Sequence, residues 1–318
     1  MPLPFSNETP ALAAVMKREE RYIVEWVAWH RLQGFELYIA DNGGEAQTEL
    51  LKKLERANYI HYVDARDLLS RPQMPAYSRL FRRALRAGHR YIGYLDGDEF
   101  FEPLAGDPFG GAKLVRDLLK RPKVYACAFR WAIFGSETDC EDIDVPVTRR
   151  FQHRGSPEDW LALEIKSFAR CDVMLKRMFR RIFPKFRYAM SKPHWFRVRA
   201  ARYSLDGDAW IDYPHRKGEW KLARIRHYSI KTPAEFANKV VRGDAQHDDG
   251  INGVNENTAS VYFSDRDTND HYDPLDPLLF ERLEAMIEQI KGDVGPVHES
   301  RGMEVIAQRH TQSSATGF

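Results

Sequence analysis

The sequence predicts an α/β fold in which a mostly parallel sheet carries helices on both faces. Over the first 135 residues, short apolar runs alternate with longer amphipathic ones. Glycine or aspartate turns separate these runs, and Asp41, Asp64 and Asp96 each follow an apolar run directly. In a doubly wound sheet those positions are the carboxyl ends of strands, where ligands bind.

Leu12–Met16 reads as a strand, and Glu19–Gln33 as a helix with Tyr22, Ile23, Trp26, Val27 and His30 on one face, stopped by Gly34. Phe35–Ala40 is a second strand ending in the turn Asp41-Asn42-Gly43-Gly44. A helix over Gln47–Arg56, a strand over Tyr59–Val63, a helix over Pro75–Ala87 closed by Gly88 and a strand over Arg90–Leu95 complete a βαβαβαβ order. After a helix over Ala112–Leu119 and a strand over Val124–Phe134 the pattern turns irregular and basic. Antiparallel strands are expected over Tyr188–Asp212, around Asp206-Gly207. A strand over Leu222–Tyr228 leads into Thr232-Pro233-Ala234-Glu235. Thr232 as N-cap, Pro233 at the first helical position and Glu235 three residues past the cap predict a capping box and a helix to about Arg242. A last helix over Pro277–Ile290 precedes a polar tail. This organisation is one domain over 1–291, irregular and basic at about 149–220, with a tail over 292–318 expected to be mobile.

Hydrophobic residues at 43% and charged residues at 30% fit a soluble globular chain. No run of about 18 apolar residues is present to cross a bilayer. MPLPFSNETP lacks the basic-then-apolar order of a signal peptide, so the expected location is the cytoplasm. Cys127, Cys140 and Cys171 are too widely spaced for a disulfide framework or a cysteine zinc site. The net charge of +2 is uneven, because Arg149 to Arg202 carries +11 and the rest of the chain −9. That asymmetry invites an anionic partner.

The stretch GYLDGDEFFEP, residues 93–103, places Asp96, Asp98 and Glu99 directly behind an apolar run. A divalent cation such as Mn2+ or Mg2+ takes oxygen ligands, commonly one or two carboxylates plus the phosphates of a substrate. Asp96 and Asp98 share a face if the strand continues, or converge if Gly97 bends the chain. An aspartate-nucleophile phosphatase would carry Thr or Val where this chain has Phe100. A calcium loop would need a glycine at its sixth position, where Phe101 stands.

Five segments, KREERYIVEWVAWHRLQG (17–34), LYIADNGG (37–44), YIGYLDGDEF (91–100), WAIFGS (131–136) and HYSIKTPAEFANKVVRG (227–243), together resemble glycosyltransferases of the GT-A fold. The resemblance is to the family-2-like and family-92-like group, and it spans about residues 12–245. It implies a Rossmann-like mixed sheet with helices on both faces, and sugar transfer from a nucleoside diphosphate sugar, a UDP-sugar foremost, with inversion. It also implies that Asp96 contacts ribose or metal, that Asp98 ligates the metal, and that His227 completes metal or diphosphate binding. Asp41 would meet the base or ribose, with Asp64 and Glu19 beside the nucleotide and Lys231 on a phosphate. Where relatives read Lys-Asn-Glu, this chain has Lys17-Arg18-Glu19.

An inverting transfer needs a group to take the acceptor hydroxyl's proton. Glu137 and Asp139, after FGS, are the first candidates, and Asp208 and Asp212 the next. His30 reads as a buried, satisfied histidine; His194 is a secondary site candidate beside Lys192, and His215 carries no special signal. The acceptor is expected to be a glycan or a lipid-linked molecule. The basic, aromatic stretch 176–202 suits peripheral contact with a membrane surface or an acidic glycan. No nucleic-acid-binding motif accompanies it, so nucleic acid is not an expected partner. Two alternatives stay open: a nucleotidyltransferase on the related fold, though no glycine-rich loop follows the first strand, and a non-catalytic nucleotide-sugar- and metal-binding module.

Overall fold

The computed structural model describes residues 5–122, 124–172, 174–175, 204–205, 208–209, 218–243 and 258–296. Four strands, β1 (Ala11–Met16), β2 (Glu36–Asp41), β3 (His61–Asp64) and β4 (Tyr91–Tyr94), lie parallel in the order β3-β2-β1-β4. Their crossovers are the helices α1 (Glu20–Leu32), α2 (Glu45–Arg56) and α3 (Gln73–Arg86). Met16 pairs with Asp41 and Asp41 with Asp64, so three strands end level along one edge.

Every residue of β1 is buried, and its alternation explains the two covered faces. Leu12, Ala14 and Met16 pack with Ile23, Trp26 and Val27 of α1, whereas Ala11, Ala13 and Val15 pack with Tyr77, Leu80 and Phe81 of α3.

Beyond β4 the sheet becomes mixed. After β5 (Glu99–Pro103), helix α4 (Gly111–Lys120), β6 (Ala126–Ile133), α5 (Val147–Arg150) and β7 (His153–Arg154) comes β8 (Ile165–Arg170), which runs antiparallel between β4 and β6. β8 falls in the stretch read from sequence as irregular, because Lys166, Ser167 and Arg170 mask its alternation. The backbone pair β9 (Ser204–Leu205) and β10 (Asp208–Ala209) is antiparallel, as expected around Asp206-Gly207. β11 (Ala223–His227) pairs parallel with β6 and antiparallel with β5.

Helix α6 (Pro233–Arg242) opens with the expected capping box. The Thr232 hydroxyl accepts from the Glu235 backbone amide at 3.2 Å, and a Glu235 carboxylate oxygen accepts from the Thr232 amide at 3.2 Å. After α7 (Ala259–Ser264) and β12 (His271–Tyr272), helix α8 (Pro277–Val294) packs on α1 and runs to Val294, into the segment read as tail. Its Leu279, Leu283, Ile287 and Ile290 recur at helical spacing and are buried, which carries the helix past Ile290. The tail beyond residue 296, the stretch 176–202, Lys192, His194, Asp212 and His215 lie outside the described residues. Among the described residues no helix is long and apolar enough to cross a membrane.

Candidate active site

The acids do not continue a strand. Residues 95–98 form a turn between β4 and β5, closed by the Glu99 amide donating to the Asp96 carbonyl at 3.1 Å and the Asp96 amide donating to Glu99 Oε2 at 2.9 Å. The Trp26 indole of α1 donates to the carbonyls of Asp96 and Glu99, at 3.1 and 3.0 Å. Gly97 is required by close approach: a Cβ there would meet Met16 Sδ at 2.8 Å and Glu19 Cγ at 3.4 Å. The turn is thereby pressed onto the loop that follows β1.

Three ammonium groups surround this turn. Lys166 of β8 donates to Asp96 Oδ2 at 2.6 Å and lies 3.1 Å from Glu99 Oε2. Lys239 of α6 donates to Asp98 Oδ2 at 2.6 Å and to the Ser229 carbonyl at 2.7 Å. Lys231 donates to the Tyr228 carbonyl at 3.0 Å and stands 4.5 Å over the Tyr22 ring. Its φ of 59° lies in the left-handed region, a strained conformation for a lysine that costs on the order of 1 kcal/mol.

His227, at the end of β11, brings Nε2 to 3.5 Å from Asp98 Oδ1, under the Trp131 ring 4.3 Å away. Burial, the largest single influence, would raise the Asp98 carboxyl, yet Lys239, His227 and Lys231 together outweigh it and hold Asp98 well below the usual carboxylate range. Burial pushes Glu99 up, against the opposing pull of Lys166. Burial likewise pushes His227 down, so the neutral imidazole is favoured, and it pushes Lys231 down.

Among the described residues, four buried polar atoms here have no hydrogen-bond partner: Glu19 Oε2, Glu99 Oε1, His227 Nδ1 and Ser229 Oγ. Buried polar groups are nearly always paired, so these four atoms have capacity for a further partner, water included.

A divalent ion needs several oxygen or imidazole donors converging on one point. Among the described residues no group of three or more His, Cys, Asp or Glu does so. Asp96 Oδ2 faces Lys166 and Asp98 Oδ2 faces Lys239, which leaves Asp98 Oδ1 beside His227 and Asp96 Oδ1 3.5 Å from the Tyr77 hydroxyl. In this arrangement Asp96, Asp98 and His227 do not form a three-donor protein site for Mn2+ or Mg2+. Such an ion on Asp98 would lie beside the Lys239 ammonium.

The structure brings Asp96, Asp98, His227, Lys231 and Glu19 together, the last through Gly97 and an ion pair with Arg242 of α6. Asp41 is buried at the end of β2 with both oxygens occupied. Its Oδ1 accepts from Gln47 and the Gly43 amide, at 2.7 and 2.9 Å, and its Oδ2 from Thr48 and Tyr62, at 2.5 and 3.2 Å. Asp64 is held by Arg66 at 2.6 Å on the exposed rim. Glu137 and Asp139 instead line a groove of 1080 Å3 between α1, the loop after β6 and α8, whose lining includes neither Asp96 nor Asp98. In the same loop Gly135 and Ser136 seat against Asp267 and Asn269, which gives FGS a structural task. His30 is buried and satisfied: Nδ1 meets the Trp26 carbonyl at 2.9 Å and Nε2 accepts from the Phe101 amide at 3.2 Å.

Lys166, Lys239 and Trp26 were not singled out as site residues from sequence. A signal for Lys239 exists, since Glu235, Lys239 and Arg242 form one stripe on α6 and all three are paired inward.

No protein-family model matches the sequence, and no curated protein matches it. Among solved structures the chain is similar to mannose-1-phosphate geranyltransferase from Thermus thermophilus, at 14% identity and a TM-score of 0.33 over 58% of this chain and 64% of that one. It is also similar to 4-diphosphocytidyl-2C-methyl-D-erythritolsynthase from Anaerococcus prevotii, at 12% identity and TM-score 0.30 over 58% and 84%. A third is mouse xyloside xylosyltransferase 1 in its apo form, at 13% and 0.25 over 58% and 72%. At such TM-scores the likenesses carry neither fold nor function. The fold rests on strand order, and the site on its own geometry.

Proposed function

We propose that the protein is a glycosyltransferase that takes a sugar from a nucleoside diphosphate donor, a UDP-sugar foremost, and passes it with inversion to a glycan or lipid-linked acceptor. The observation that carries this reading is the Asp96–Asp98 turn, set at the carboxyl ends of parallel strands among Lys166, Lys231 and Lys239 and beside four unpartnered buried atoms. Departure of the sugar leaves negative charge on the diphosphate. Cations already fixed in a buried site stabilise that charge without reorganising, and this is commonly the largest single contribution to catalysis. The carboxylates of Asp96 and Asp98 hold those cations in place. Glu19, on the loop after β1, and the loop of Asp41 and Asp64 border the nucleotide in this proposal, with Asp41 acting through the side chains it fixes.

Glu137 or Asp139 serves as general base in this proposal if the acceptor lies along the groove they line. The test is a screen of nucleotide-sugars for sugar release and for thermal stabilisation, run beside Asp98→Ala and Asp139→Ala. Donor turnover lost in Asp98→Ala, and turnover lost with donor binding kept in Asp139→Ala, is the expected pattern. An Asp98→Ala protein that binds and turns over donor like the wild type overturns the reading. Pyrophosphate release from a nucleoside triphosphate and a sugar phosphate would instead mark a nucleotidyltransferase. Donor that stabilises the fold yet is never consumed would mark a binding module.

A further inference from the structure

We infer that the donor's diphosphate is held directly by the ammonium groups of Lys239 and Lys231, and that nucleotide binding needs no divalent ion. This deepens the transferase reading and rests on it.

Lys239 is placed before any ligand arrives. Its helix is fixed at the start by the capping box, and Glu235 is fixed in turn by Tyr22 at 2.8 Å and by Arg150 at 2.9 and 2.7 Å. An ammonium has three donors. Two of those on Lys239 go to Asp98 Oδ2 and the Ser229 carbonyl, and the third has no partner among the described residues. Lys231 donates to the Tyr228 carbonyl from a left-handed backbone, and it is 4% exposed. Such strain persists where the surrounding structure enforces it, which is common at ligand clamps.

The charges around the turn point the same way. Lys166 lies between Asp96 and Glu99, Arg242 pairs with Glu19 and Lys239 with Asp98, whereas Lys231 is in no ion pair among the described residues. Lys231 is therefore a buried ammonium with no carboxylate oxygen within ion-pair distance among the described residues, and near it the fully buried Ser229 hydroxyl has no partner among them either. A phosphate group supplies both the missing charge and acceptors for those donors. A divalent cation on Asp98 would sit beside the Lys239 ammonium, which lies 2.6 Å from the same carboxylate, and like charges that close repel.

The experiment is calorimetric titration of the full chain with UDP, GDP, ADP and CDP, each in EDTA and again with Mn2+. At least one of these is expected to bind in EDTA within about threefold of its affinity in Mn2+. Lys239→Met should weaken that binding about tenfold or more in both conditions, and Lys239→Arg should recover most of it. Near-ultraviolet circular dichroism of the variants checks that the fold is kept, and Lys231→Met supplies a second reading if Lys239→Met does not fold. Binding that appears solely with Mn2+, and that is unchanged or tighter in Lys239→Met because the competing ammonium has gone, overturns the inference and leaves the transferase reading intact. Failure of all four nucleotides to bind in either condition overturns both.

Discussion

The strand pair β5 and β11 carries a buried charge cluster at each end, and the two clusters are built differently. At one end Glu102 of β5 accepts from Arg224 and Arg226 of β11 at 2.5 and 2.8 Å. Asp273 takes both terminal nitrogens of Arg224 at 2.6 and 2.7 Å, as well as Arg154. Arg226 spends its remaining donors on the Tyr228 hydroxyl and the Asp273 carbonyl, at 2.9 and 2.7 Å. No atom of Glu102, Asp273, Arg224 or Arg226 is among the unpartnered ones. At the other end, Glu99 of β5 pairs with His227 of β11, and both carry an unpartnered buried atom. A closed network of this kind fixes a fold. An open one of the same residue types has capacity left for a ligand, so satisfaction, and not charge, separates scaffold from site.

The contrast can be broken most forcefully at the closed end. Asp273→Asn leaves Arg224 and Arg154 without their shared carboxylate, and should cost about 3–5 kcal/mol of unfolding free energy in urea titrations. The nucleotide affinity of the folded variant should stay at the wild-type value. A variant that loses nucleotide affinity but not stability would make this cluster part of the site.

Acid should separate the regions further. Burial drives His30 down to about 3, so the fold favours its neutral form. The stability this contributes is complete above the unfolded value of about 6.5 and is lost as pH falls from there toward 3. Asp273 is held below the ordinary carboxylate range: burial would raise it, but Arg224, Arg226 and Arg154 together outweigh burial. Its contribution is present above the unfolded value of about 3.9 and goes in stronger acid. Chemical denaturation between pH 8 and 3 should therefore show a first loss of a few kcal/mol from the buried neutral histidines, His30 and His227. His30→Gln should flatten its part of that loss, and an unchanged slope would refute the His30 share.

The smallest effect belongs to the wall between site and groove. Tyr22→Phe removes the bond to Glu235 and should cost about 1 kcal/mol in the same titration, with α6 and Lys239 otherwise held by Arg150. A loss several times larger would show that Tyr22 alone positions α6.

Much of this architecture was legible in the residues. Apolar runs marked β1, β2 and β6 because both faces of those strands are covered, and Thr232-Pro233-Ala234-Glu235 specified its helix start through local bonds alone. β8 was illegible because Lys166, buried at 4% exposure, looks polar in sequence and is neutralised by Asp96, seventy positions earlier. The acids were found by their spacing. Their lysine partners were not, since an ion pair across the fold leaves no local pattern. Asp41 illustrates the converse: a conspicuous strand-end acid whose two oxygens prove to be occupied by the Gly43 amide, by Gln47 and Thr48 of α2 and by Tyr62 of β3.

The amide of Tyr228 donates to the carbonyl of Asp98 at 2.9 Å, one residue beyond the end of β11. That bond ties the acidic turn to the arginine-bearing strand, so neither can shift without dragging its neighbour. Slow deuterium uptake at this single backbone position would register the tension in both clusters at once.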